Sequence, residues 1–383
     1  MNRARAITAY IFAWARRGPV SLWVECPGLG WMEARGFVLT AGMPAGAAQN
    51  PTIEDAGCAE MSDGLHASAL RRELMARSRQ HARGRLHAES YGNPAVIVFA
   101  PEEERHGNFF DAAYAAIEAR PEWARRLKKI HAQSRALPRV ERKWRELDSS
   151  MSSDALLMNV FCTPGAAESA AVRSMLGIDA EGDPAFGWRA RVPLRSGRVD
   201  RTEVDMRWGD LLVEAKLTEA DFQSCRCAVV EGYRDVDVVF DRALLPRVEI
   251  ATERRKEAAE FPEEYSQEEE YVPAEEWQPV LYEPRRASVE GYASYQLIRN
   301  VLAAHAQGGR FCVIHDARRP DLREAWFEVM AAVRSAEMRT RLMVLTWQEV
   351  AAELPRELQE FLDRKYGIVA PGAVASQVEG TWL

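Results

Sequence analysis

Between Trp188 and Leu217 the chain changes its hydrophobic period, and this stretch constrains the fold more than any other. Trp188 to Leu194, Thr202 to Trp208 and Leu211 to Leu217 each alternate apolar and polar residues, the pattern of strands buried on one face. Arg195 to Gly197 and the pair Gly209 and Asp210 interrupt them as turns, so three consecutive antiparallel strands are expected. The second turn holds only two residues, which sets the register by counting outward. Trp208 pairs with Leu211, Asp205 stands opposite Glu214, and Glu203 stands opposite Lys216. Val204, Met206 and Trp208 then point to one face, and Glu203, Asp205 and Arg207 to the other.

That register carries chemistry. Directly opposed side chains on one sheet face have Cβ atoms roughly 4.5–5.5 Å apart, and two ionised carboxylates at that separation repel. A divalent cation removes the conflict, and oxygen ligands completed by water and a substrate phosphate suit Mg²⁺ or Mn²⁺. Lys216 would project beside such a metal, where it can orient or help activate an attacking water and offset charge on a phosphate. The alternative is a surface hairpin whose Glu203–Lys216 pair contributes about 0.2–1 kcal/mol and needs no metal.

The surrounding elements suit a mixed sheet. Residues 1–60, with the run AGMPAGAAQNP, hold no amphipathic period and read as a poorly ordered extension. Residues 61–148 read as a mainly helical basic region. It includes a helix from His66 to Ala82, a buried strand from Pro94 to Ala100, a helix from Asn108 to Ala119, and another running from Pro121 through the basic segment to Pro138. Residues 149–383 read as the core. There SSMSSDALLMNVF enters as a serine-capped helix, Ala166 to Leu176 is a short helix, and Thr218 caps a helix beginning at Glu219. Ala251 to Arg286 is an acidic, proline-containing insertion. After it come a helix from Tyr295, a buried strand RFCVIH from Arg310 to His315, a helix from Leu322 to Ala336, an apolar strand from Leu342 to Thr346, and helix from Glu349 onward.

In this order of elements, Asp205 followed by Glu214-Ala215-Lys216 resembles the restriction-endonuclease-like core of the PD-(D/E)XK nuclease superfamily. The wording of HGNFFDAAY, SSDALLMNVF, TEVDMRWGDLLVEAKLTEADF, YQLIRNVLAA, RPDLREAW and LTWQEVAAELP is also similar to uncharacterised bacterial members, over most of residues 85–368. The resemblance implies an α/β (α+β) fold with a central mixed sheet flanked by helices. It also implies a hydrolase that cuts nucleic acid, with DNA favoured. Asp205 and Glu214 would bind the metal and Lys216 would position water. Some families of the superfamily carry an acid on the helix before the strands, for which Glu168 is the match. Others carry polar residues on the helix after the site, for which Gln296 is the match, with Tyr295 and Asn300 beside it. A non-catalytic nucleic-acid-binding or partner-binding module that keeps the fold, and a hydrolase of small phosphate esters, are the competing functions.

Charge and composition narrow the rest. The net charge of −7 is concentrated in Ala251 to Glu290, where twelve Glu face five Arg and Lys. Arg120 to Glu146 holds ten Arg or Lys against three Glu, a local excess suited to holding a phosphate backbone. His106 and His315 read as buried or surface histidines rather than catalytic ones. No phosphate-binding glycine loop and no serine-hydrolase elbow occurs. No run is apolar for the eighteen or more residues that cross a bilayer. The apolar stretch Ile7 to Ala15 is followed by Arg16 and Arg17 where a cleavage site should stand, and the six cysteines form no disulfide framework, so a cytoplasmic location is expected.

Overall fold

The computed structural model describes residues 22–26, 30–34, 53–90, 95–130, 145–179, 181–252 and 287–372. Most of the expected extension, residues 131–144 of the basic run and residues 253–286 of the acidic insertion lie outside them. By its contacts the chain divides into Met1–Glu54 and Asp55–Leu383. The first unit holds an antiparallel pair, β1 (Leu22–Cys26) with β2 (Gly30–Ala34).

Helix α1 (Ile53–His81), all but its first two residues in the second unit, precedes two short antiparallel pairs, β3 (His87–Glu89) with β4 (Ile97–Phe99) and β5 (Pro101–Glu102) with β6 (Arg105–His106). Helices α2 (Asp111–Ala119), α3 (Pro121–Ala124), α4 (Ser153–Phe161) and α5 (Ala170–Leu176) follow. The chain then runs through β7 (Ala185–Pro193), β8 (Val199–Trp208), β9 (Leu211–Ala215), β10 (Cys225–Arg226), α6 (Cys227–Glu231), α7 (Val236–Val239), β11 (Arg247–Thr252) and β12 (Ala287–Tyr292). It ends with α8 (Tyr295–Ala306), β13 (Arg310–His315), α9 (Pro320–Ala332), α10 (Ala336–Thr340), β14 (Leu342–Thr346), α11 (Trp347–Ala352) and α12 (Arg356–Tyr366).

The central sheet has five strands in the order β14-β13-β9-β8-β7. β7, β8 and β9 are antiparallel neighbours, whereas β9, β13 and β14 run parallel. This is the expected mixed α/β sheet. β13 is buried along nearly its whole length, as its unbroken apolar run requires of a parallel strand covered on both faces. One face packs Trp208, Leu211 and Val213 against Leu157 and Phe161 of α4 and Leu358 and Phe361 of α12. The other packs Leu212, Phe311 and Val313 against Leu297 and Val301 of α8 and Trp326 of α9.

The two-residue turn forms as counted, with Trp208 opposite Leu211 and Met206 opposite Val213. Gly209 takes φ 61, which a tight hairpin with glycine first requires. The strict alternation along β8 does not hold, however. Met206 and Trp208 pack into the first core, while Val204, two residues away, packs into the second. β7 swaps in the same way between Phe186 and Trp188. The swap is centred on Gly187, whose φ of 61 is outside the extended region, and on Asp205, which would stand opposite it. A single non-extended residue, Gly187, reverses the parity of β7, and β8 crosses with it at Asp205, the position the ladder leaves unpaired. Gly187 is required twice over, because a Cβ there would also collide with the Arg126 guanidinium.

Other expectations are corrected in detail. Thr218 and Glu219 start no helix, since the Glu219 carboxylate accepts the Leu217 N–H at 2.7 Å and folds the chain into turns. The helix from Pro121 stops at Ala124 and gives way to a 3-10 turn at Arg126–Lys128. The helix expected from Ala166 begins at Ala170, capped by Ser169. The first helix starts well before His66, and the one expected over Leu322 to Ala336 ends at Ala332.

The α1 end supplies a pH test. His81 Nε2–H donates to the Gly107 carbonyl at 3.0 Å and the ring lies edge-on to Phe99 and Phe361. Burial, then the neighbouring Lys365 and Arg85, lower its pKa to about 3. The unfolded chain takes up this proton below about pH 6.5 while the folded chain refuses it until about pH 3, so stability is lost as pH falls across that window. Between pH 7 and 5 the loss should be about 1–2 kcal/mol. Denaturant midpoints of wild type and His81→Gln at both pH values check this, and equal acid losses in the two would refute it.

Candidate active site

At the point where the faces swap, β8 and β9 bring their charged residues together. The Asp205 carboxylate accepts the Ala215 N–H at 2.8 Å, so the side chain replaces the next rung of the ladder. Glu214 and Lys216 are both almost fully buried, with Lys216 Nζ donating to Glu214 Oε1 at 2.9 Å. Lys216 is held at both ends: its N–H donates to the Ile314 carbonyl, and its own carbonyl accepts the Trp347 indole N–H at 2.9 Å. The Phe222 ring lies 5.5 Å from the ammonium.

Helix α8 completes the group. Its residues Leu297, Ile298, Val301 and Leu302 are buried against the sheet. Residues four apart share a helix face, which sends Gln296 and Asn300 to β9 together. Gln296 Oε1 accepts from Lys216 Nζ at 2.8 Å, and Asn300 Nδ2 donates to Glu214 Oε2 at 2.8 Å. Asn300 Oδ1 is buried with no hydrogen-bond partner among the described residues.

A second layer comes from α4. Ser152 caps this helix by accepting the Ala155 N–H, which places Asp154 in the first turn, buried. Arg126 Nη2 donates to Asp154 at 2.6 Å and its Nη1 to Glu203 at 2.7 Å. Lys129 Nζ lies 2.9 Å from Glu203 and 3.5 Å from Asp154. Glu219 bonds the Ser153 hydroxyl at 2.6 Å, and buried Arg319 donates to the carbonyls of Glu219 and Ala220. The turn after β9 is thereby fastened to α4 and to the start of α9.

The electrostatics follow from this crowding. Burial first, then the charges of Glu214 and Asp154, push the Asp205 carboxyl well above its ordinary pKa. Burial opposes the charge on Lys216, but Glu214, Glu219 and Asp205 outweigh it and hold the ammonium above its usual range. Glu203 is held low despite burial by its bonds from Arg126 and Lys129.

Of the residues singled out in the sequence, Asp205, Glu214, Lys216 and Gln296 come together here. Glu168 does not join them. It is exposed in the turn before α5, where its carboxylate accepts the Gly165 N–H at 2.8 Å. The buried acid that acts on Asp205 from a helix preceding the strands is Asp154. Its sequence signal was an acid two residues past a serine cap, at the head of an apolar helix. The Glu203–Lys216 pair does not form, because Lys216 turns to Glu214 and Gln296 while Glu203 turns to Arg126 and Lys129. In the basic run, Arg120, Arg126 and Lys129 likewise end on Asp183, Asp154 and Glu203. His106 is buried between Asp148 and the Asn108 N–H. His315 is buried with Nδ1–H donating to the Asp316 carbonyl, and burial lowers its pKa.

The donor set suits a hard divalent cation. Carboxylate oxygens of Asp205 and Glu214 keep lone pairs beyond the single N–H that each bonded oxygen accepts, and a cation relieves the repulsion that raises Asp205. Among the described residues no three His, Cys, Asp or Glu side chains form a metal-holding cluster. Mg²⁺ needs no such cluster, since it commonly takes one or two protein carboxylates together with waters and substrate phosphate. No helix among the described residues is long and apolar enough to cross a membrane.

Comparison with protein families matches residues 76–367 to the one described as restriction endonuclease associating with ARP. No curated protein and no solved structure matches.

Proposed function

Because the chain belongs to the family of restriction endonucleases associating with ARP, we propose that it is a Mg²⁺- or Mn²⁺-dependent nuclease that hydrolyses nucleic-acid phosphodiesters, DNA above all, with the PD-(D/E)XK arrangement of site residues. One observation carries the reading. Two buried or half-buried carboxylates, Asp205 and Glu214, meet a buried ammonium, Lys216, where the central strands change faces. When bound there, the cation would polarise the scissile phosphate and lower the pKa of a bound water. Asp205 and Glu214 would hold it.

The protein groups have separable tasks. Lys216 stays protonated at neutral pH, so it donates hydrogen bonds and positive charge and does not take a proton from water. Gln296 fixes the direction of its Nζ, and Asn300 fixes Glu214. Asp154 pairs with Arg126 and adds negative potential next to Asp205. Trp347 locks the backbone that carries Lys216.

Incubating the full chain with plasmid and linear duplex DNA and Mg²⁺ tests the proposal. Cleavage should stop in EDTA and return with Mg²⁺ or Mn²⁺. Lys216→Met should lower the cleavage rate by about 10²–10³-fold, the usual loss when one preorganised donor to developing charge is removed. Salt-sensitive DNA binding with no metal-dependent cleavage would instead identify a non-catalytic module of the same fold.

A further inference from the structure

We propose that the outer face of the β7–β8 hairpin, carrying Arg189, Arg191 and Arg201, is a track for the phosphate backbone of nucleic acid; the polyanion is named on the strength of the nuclease reading above. Arg191 stands directly opposite Arg201, and Arg189 directly opposite Glu203. Opposed residues in an antiparallel pair share a face, so the three guanidinium groups leave the sheet on one side. Ala190, Val192, Thr202 and Val204 bury the other side.

All three arginines are exposed, and none makes an ion pair or side-chain hydrogen bond with a described residue. Arg126, Arg195, Arg247, Arg310 and Arg319, by contrast, each end on a carboxylate. Two like charges directly across a strand pair repel, and no acid among the described residues relieves Arg191 and Arg201. A polyanion relieves them, and the guanidinium fork matches phosphate oxygens two at a time.

The track leads to the active site. Arg201 precedes Asp205 by four residues on one strand, roughly 13 Å at the rise of an extended chain. Between them Glu203 is covered by Arg126 and Lys129, so its negative charge does not block the path. A backbone laid along the hairpin thus meets the Arg191–Arg201 pair, then Arg189, then Lys129, before it reaches Asp205. Such contacts fix position and strand direction and read no base.

Binding of a fluorescein-labelled DNA duplex to the full chain, followed by anisotropy in EDTA over a salt series, separates this track from the chemistry. The double variant Arg191→Gln/Arg201→Gln should reduce the slope of log affinity against log salt by about 2, at roughly 0.9 for each phosphate that is no longer neutralised. Arg201→Glu turns the repelling pair into a complementary one. It should therefore keep or raise the melting temperature while weakening binding at least tenfold. Wild-type affinity and slope in both variants would overturn the track even with Mg²⁺-dependent cleavage intact. A wild-type chain that binds no duplex would overturn it too. Salt-steep binding that both variants weaken, from a wild-type chain that cuts nothing, would establish the track and defeat the nuclease reading alone.

Discussion

Asp205→Asn should reduce Mg²⁺-dependent DNA cleavage by about 10³-fold or more, equivalent to ~4 kcal/mol of barrier, while the protein remains folded. The amide keeps the shape of the carboxylate and can still accept the Ala215 N–H. What it loses is the charge that binds a cation. Stability gives a readout independent of activity. The Asp205 pKa is raised in the folded chain, so its ionisation works against folding as pH climbs above the usual carboxylate range. Asparagine removes that penalty, and the variant should melt at or above the wild-type temperature near pH 7. Mg²⁺ should then raise the melting temperature of wild type, because a ligand that binds only the folded state stabilises it, and should leave Asp205→Asn unmoved. An Asp205→Asn chain that cuts at wild-type rate would end the metal-site assignment.

The second large effect is structural. Arg126→Met should cost about 3 kcal/mol or more, since it leaves buried Asp154 facing Glu203 with only Lys129, 3.5 Å from Asp154, to balance it. For a unit the size of Asp55–Leu383 that is a fall of roughly 4 °C or more in melting temperature. Adding Asp154→Asn to Arg126→Met should recover a good part of the loss, because a neutral amide needs no counter-charge. Differential scanning calorimetry of the two variants decides it. A single variant that melts with wild type would show that the Arg126 bridge contributes nothing, and failure of the second change to help would place the loss in packing over Gly187.

What the sequence showed and what it hid divide along the range of the interactions. The Gly209–Asp210 hairpin was legible because local turn chemistry sets it, and with it the approach of Asp205 to Glu214 and Lys216. β13 and the face of α8 that presents Gln296 were legible from apolar runs and a 3.6-residue period. The parity reversal at Gly187 and Asp205 was not, because it depends on a backbone angle that a glycine permits but does not announce. Alternation alone therefore set Glu203 against Lys216. Asp154 was hidden for a related reason: Glu168 and Asp154 both stand in segments expected to be helical, and the approach of α4 to β8 that separates them is made by tertiary packing. The basic run looked like a phosphate-binding face for want of its partners, Asp154 and Glu203, which lie tens of residues away in the chain.

The acidic stretch between Thr252 and Ala287 begins and ends on paired neighbours, because β11 and β12 close it as an antiparallel ladder in a sheet apart from the central one. Closing a loop costs free energy only logarithmically in its length, about 0.6 kcal/mol per doubling. Chain can therefore be added or removed between those two residues at little cost to the five-stranded sheet. That makes the join between Thr252 and Ala287 a natural splice point: a reporter domain or an affinity handle grafted there would ride on the protein at the end of the β11–β12 ladder.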